Sequence, residues 1–91
     1  MLKPSMKYAV IYTYSFDSDS AVYLFDDYDD AADFLEESFE RELETEIEEY
    51  GADEVEFKYD NDRSYAAVIH HTPDGDDVCE YRLCTTLMED K

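Results

Sequence analysis

The segment from Asp29 to Tyr50 constrains this chain more than any other. Ala31, Leu35, Phe39, Leu43 and Ile47 recur at every fourth position inside a run otherwise dominated by Asp and Glu. An apolar repeat of that period marks a helix that buries one face. Phe34 and Tyr50 lie beside the stripe. Asp29 or a neighbour is placed to cap the first turn, and Gly51 to end the last. Such a helix needs an apolar surface to lie on, and the rest of the chain must supply it.

The flanking segments read as strands. Lys7–Tyr14 (KYAVIYTY) is β-branched and aromatic with apolar residues in both alternating sets, so it is expected to be central. Ala21–Phe25 (AVYLF) follows after the short turn Ser15–Ser20, which favours an antiparallel hairpin. After the helix, Glu54–Asp60 alternates, with Val55, Phe57 and Tyr59 expected inward and Glu56 and Lys58 outward. Ser64–His71 and Val78–Thr85 complete the set, separated by turns at Asn61–Arg63 and Thr72–Asp77. The order ββαβββ predicts an α+β fold: an antiparallel sheet of about five strands with one long acidic helix on one face. Residues 1–6, broken by Pro4, read as a loose leader, 7–86 as a single domain and 87–91 as a tail.

Charge is the second constraint. The chain holds 26 acids against 7 bases, a formal charge of −19. A small domain needs a magnitude of only about 2–8 for solubility. Disorder is opposed by 9 Tyr, 5 Phe, only 2 Gly and 2 Pro, and by periodic apolar positions. Halophilic adaptation would spread acids evenly, whereas here residues 15–53 carry 16 acids and one base, Arg41. The sequence contains no apolar run long enough to span a bilayer, and anionic lipid would repel it, so no membrane role is expected. Without a continuous apolar segment near the N-terminus, and with two cysteines read as reduced thiols, the expected location is cytoplasmic.

The acidic block is costly to a helix that serves only as a prop. Asp29, Asp30 and Asp33 suit the positive end of the dipole, but Glu48 and Glu49 sit at the wrong end. Six like-charge pairs fall at i,i+4: Asp29–Asp33, Asp33–Glu37, Glu36–Glu40, Glu40–Glu44, Glu42–Glu46 and Glu44–Glu48. Together they oppose the helix by roughly 1–3 kcal/mol. A partner that gains from the charge explains its presence. Carboxylates at i and i+4 stand about 5–6 Å apart at Cβ and present a row of anions, as a nucleic-acid strand does. The expected binding residues are Asp26, Asp27, Asp29, Asp30, Asp33, Glu36, Glu37, Glu40, Glu44 and Glu48, with Asp17 and Asp19 in reserve. The expected partner is a basic nucleic-acid-binding protein; direct binding of nucleic acid is not expected. Tyrosines such as Tyr8, Tyr12, Tyr14, Tyr23, Tyr28, Tyr59, Tyr65 and Tyr81 outnumber what one small core holds and suit an interface.

In size, charge and the acidic block Asp26–Glu49, the chain resembles the small acidic inhibitors encoded by phages and mobile elements. Anti-CRISPR proteins, anti-restriction proteins and the uracil-DNA glycosylase inhibitor belong to that class. The resemblance is one of class and carries no diagnostic motif, so no contact residue is transferred. It implies an inhibitor, a DNA mimic, that occupies the DNA- or RNA-binding site of a CRISPR effector or another nucleic-acid-processing protein.

Catalytic and metal signals are weak. His70-His71 with Cys79 and Cys84 lacks standard zinc spacing, and adjacent residues of a strand point to opposite faces. Asp60–Ser64 starts like a calcium loop, but Tyr65 stands where glycine is required and His71 where a bidentate Glu is required. The sequence has no Gly-rich phosphate loop and no G-x-S-x-G. The reading is therefore of a non-enzyme without cofactor. A non-mimic acidic adaptor or antitoxin-like module is the first alternative, and a small metal-assisted hydrolase the second.

Overall fold

The computed structural model describes the backbone of residues 3–15 and 19–90 and the side chains of residues 6–15 and 20–86. It has five strands and one long helix: β1 (Lys3–Tyr14), β2 (Asp19–Phe25), α1 (Tyr28–Tyr50), β3 (Val55–Tyr59), β4 (Tyr65–Thr72) and β5 (Gly75–Asp90), with a 3₁₀ turn at Ala52–Glu54. All strand pairs are antiparallel, in the order β2-β1-β5-β4-β3. The fold is therefore α+β, with the expected element order. Helix α1 leaves one edge strand, β2, and delivers the chain to the other, β3, so it has to traverse one face of the sheet.

The sheet prepares that face by strand alternation. Tyr12, Tyr81, Ala66 and Tyr59 form one row across β1, β5, β4 and β3, and Tyr14, Cys79, Val68 and Phe57 form the next. Val10, Val68 and Cys79 are almost fully buried beneath Ala31, Leu35 and Phe39 of the helix. Ala66 and Ala31 are small enough for the backbones to approach, and the large rings fill the flanks. Phe39 stacks on Tyr59 with centroids 5.5 Å apart, and Phe34 meets Tyr23 at 4.7 Å and Phe25 at 5.2 Å. Most of the surplus tyrosines are thus spent on this seam. Tyr23 and Tyr50 remain well exposed.

Three expectations need correction. Residues 3–6 are not a leader and 87–90 are not a tail: Lys3↔Asp90 through Met6↔Leu87 extend the β1–β5 ladder past the rest of the sheet. The Ser15–Ser20 turn falls partly outside the described residues. Phe57 points to the helix side but is 59% exposed, because β3 is the edge strand and α1 does not cover it fully. The helix stripe also rotates. Each step of four residues turns about 400°, about 40° beyond a full turn. By Ile47, four steps from Ala31, the drift is about 160°. Ile47 is accordingly 37% exposed, and Glu46 takes the core-facing position at 9%.

The rotation predicts unequal losses on truncation. Leu35→Ala should cost about 2–5 kcal/mol, and Ile47→Ala less than about 1 kcal/mol, measured by urea denaturation. Equal losses would restore the straight stripe.

Candidate binding surface

Helix α1 starts where Asp27, in extended backbone, accepts the Asp29 N–H at 3.2 Å through its side chain. It ends where Gly51, at φ 91°, donates its N–H to the Ile47 carbonyl at 2.8 Å. The cap is thus Asp27, a neighbour of Asp29 two residues earlier. No basic residue stands in the last turn, so Glu48 and Glu49 face the negative end of the dipole without relief.

At about 100° per residue, Asp30, Asp33, Glu37, Glu40, Glu44 and Glu48 all fall within about 40° of the direction opposite Leu35. All six are exposed. They make one ridge along roughly 27 Å of helix, at about 1.5 Å per residue. Among the described residues, none of these carboxylates except Asp33 forms an ion pair.

The remaining candidates sit differently. Asp29 is exposed on the flank of the first turn, and Asp27 is used as the cap. Asp26 is exposed in the link from β2 and pairs with Lys7. Glu36 is half-buried and lies 3.3 Å from Arg63, which also pairs with Asp33. Arg63 holds a left-handed backbone, φ 63°, in the β3–β4 turn. Asp62 fixes that turn by accepting the Ser64 N–H at 3.1 Å and hydroxyl at 2.6 Å. Those donors hold the Asp62 carboxyl below its usual range. The Asp60–Ser64 segment is thus a hairpin turn that aims one cation at the helix. Asp17 lies outside the described residues.

The sequence reading missed what lies on the other side of the helix. Glu42 and Glu46, counted among the like-charge i,i+4 pairs, turn toward the sheet. The Cys79 thiol of β5 lies 3.3 Å from Glu42 Oε1 and 3.9 Å from Glu46 Oε2, and the Tyr12 hydroxyl is 4.0 Å from the same sulfur. Burial, then the Glu42 charge, pushes Glu46 up to about 7. Burial and the two carboxylates push the Cys79 thiol well above its ordinary range. Tyr12 is raised by burial and by Cys79. An open cleft of about 410 Å³ adjoins the cluster, lined among others by Tyr12, Tyr23, Arg41, Glu42 and Tyr81. The signal available beforehand was the rotation of the stripe, which brings positions 42 and 46 round to the core side.

His70 and His71 do lie on opposite faces. His70 is buried and stacks on Tyr50 at 3.7 Å between centroids; His71 is exposed and bonds Asp76 at 2.8 Å, which raises its pKa. Cys79 is buried and Cys84 exposed. Among the described residues no helix is long and apolar enough to cross a membrane. No protein-family model, curated protein or solved structure matches the chain.

The fold favours the protonated form of Glu46. Its stabilising contribution is therefore complete below the ordinary value of 4.5 and is lost as pH rises through about 7. Glu46→Gln, which keeps the shape and removes the titration, should add on the order of 2 kcal/mol at pH 8 in metal-free buffer. The two proteins should be equally stable near pH 4 (about the unfolded carboxyl value). Equal urea midpoints at pH 8 would mean the Glu46 carboxylate is solvated.

Proposed function

We propose that this chain is a polyanionic nucleic-acid mimic that inhibits a nucleic-acid-processing protein by occupying its basic DNA- or RNA-binding site. The observation that carries the reading is the ridge Asp30, Asp33, Glu37, Glu40, Glu44 and Glu48, exposed and, apart from Asp33, unpaired among the described residues. Adjacent carboxylates follow at roughly 5 Å along the axis, against about 3.4 Å per phosphate of a DNA strand. The array is sparser than a strand but one-dimensional, like it. Twenty-three residues of continuous helix hold it before any partner arrives, so little ordering entropy is lost on binding. Asp26, Asp29 and Glu36 flank the ridge and widen the anionic surface.

A CRISPR effector is one target class that this reading admits; other enzymes that grip nucleic acid through Lys and Arg are equally compatible with the chemistry. The mimic differs from an acidic adaptor in one respect: it must exclude nucleic acid from its partner. The partner can be isolated on the immobilised full chain and then challenged with duplex DNA or single-stranded RNA. Release of the partner at saturating nucleic acid supports mimicry; a stable ternary complex refutes it.

Within that complex, reversing Glu37, Glu40 and Glu44 together to Lys should weaken binding at least about 100-fold, since each charge contributes roughly 1 kcal/mol or more at a basic site. Glu36 is left in place because of Arg63. The variant should keep its far-ultraviolet circular dichroism, as all three positions face solvent. A folded triple variant that binds at full strength would move the interface off this helix.

A further inference from the structure

We propose that Glu42, Glu46 and Cys79 form a binding site for a thiophilic divalent cation of the zinc class, with one coordination position open toward the adjoining cleft. The site lies between the helix and the sheet, and the proposal stands independently of the acidic ridge. Two carboxylates one helical turn apart and a thiol on β5 converge so that one donor atom from each lies within 4.8 Å of the others. In a tetrahedral zinc site with Zn–S near 2.3 Å and Zn–O near 2.0 Å, sulfur and oxygen stand about 3.5 Å apart. The observed sulfur–oxygen distances of 3.3 and 3.9 Å bracket that edge length.

The surroundings point the same way. Glu46 is more than nine-tenths buried and Cys79 is 1% exposed. Neither Glu42 nor Glu46 forms an ion pair among the described residues. The one thiol proton cannot satisfy both carboxylates, so the buried Glu46 is aimed at a group set that contains only other acids. Binding of a divalent ion would require the Cys79 thiol to release its proton to solvent, after which the thiolate and the two carboxylates would supply the donors. Sulfur in the donor set selects against Mg²⁺ and Ca²⁺ and for a zinc-class ion. Three protein ligands leave the fourth tetrahedral position vacant, and the cleft beside Glu42 and Tyr12 gives water or a small ligand access to it.

Cobalt(II) is the probe, because a cobalt–thiolate bond gives a near-ultraviolet charge-transfer band that carboxylates alone do not. The full chain is titrated with CoCl₂ in excess MgCl₂, which occupies the outer acids. One Co²⁺ per chain should bind with that band, and ZnCl₂ should displace it. Cys79→Ser should abolish the band, and Cys84→Ser should preserve it. Glu46→Gln should weaken Co²⁺ binding at least about tenfold, with the fold checked by circular dichroism, whereas Glu44→Gln should not. If Cys79→Ser does not fold, Glu46→Gln and Glu42→Gln decide the matter by affinity. Absence of the band in the parent chain, its persistence in folded Cys79→Ser, or unchanged affinity in Glu46→Gln would overturn the proposal.

Discussion

Everything in this molecule hangs on one seam, where Ala31, Leu35 and Phe39 of the helix press on Val10, Val68 and Cys79 of the sheet. Among the described residues no second layer covers the other face of the sheet, where Val22 and Leu24 stand 60% and 53% exposed. A small domain buries little apolar surface, so this single interface supplies most of the drive to fold. It also fixes the direction of every residue on the helix. Once Leu35 points down, Glu44 must point up.

The seam therefore imposes two opposite electrostatic environments on one acidic helix. On the outer side, carboxylates stand in water, where mutual repulsion is modest and is screened by salt. On the inner side, Glu42 and Glu46 meet a thiol in a half-dry place where charge is penalised and protons, or a cation, are favoured. Arg63 ties the outer side to the β3–β4 turn near Asp33 and Glu36 and leaves the rest of the ridge uncompensated. Exposed pairs of that kind contribute about 0–1 kcal/mol. Arg63 therefore positions more than it stabilises.

Local signals were readable in the chain, and relations between distant segments were not. The helix stop at Gly51, the side-chain alternation of β3 and the two turns depend on neighbours within a few residues, so they followed from spacing. The cap was legible only as Asp29 or a neighbour, because several nearby Asp residues could each serve, and it is Asp27. The pairing of Lys3–Met6 with Leu87–Asp90 joins the two ends of the chain, and no local pattern announces it. Extending a four-residue repeat to Ile47 ignored the accumulated turn of the helix, and so Ile47 was placed in the buried stripe and Glu46 left off it. The meeting of Glu42 and Glu46 with Cys79 spans 37 and 33 positions and depends on the β5–β1–β2 order as well as on that rotation. Of the ten residues proposed for binding, Glu36 alone is half-buried, beside Arg63; the other nine are exposed.

The central claim is that the outward ridge is uncompensated within the molecule and is kept for something outside it. The melting temperature of the unbound, metal-free chain as NaCl is raised from near zero to about 0.3 M, where the Debye length shrinks to a few ångströms, tests this most directly. A steady rise is predicted, steeper than in a chain with Glu40 and Glu44 replaced by Lys. A melting temperature that stays flat or falls would contradict the account, since it would mean that the carboxylates already have their partners in the folded chain.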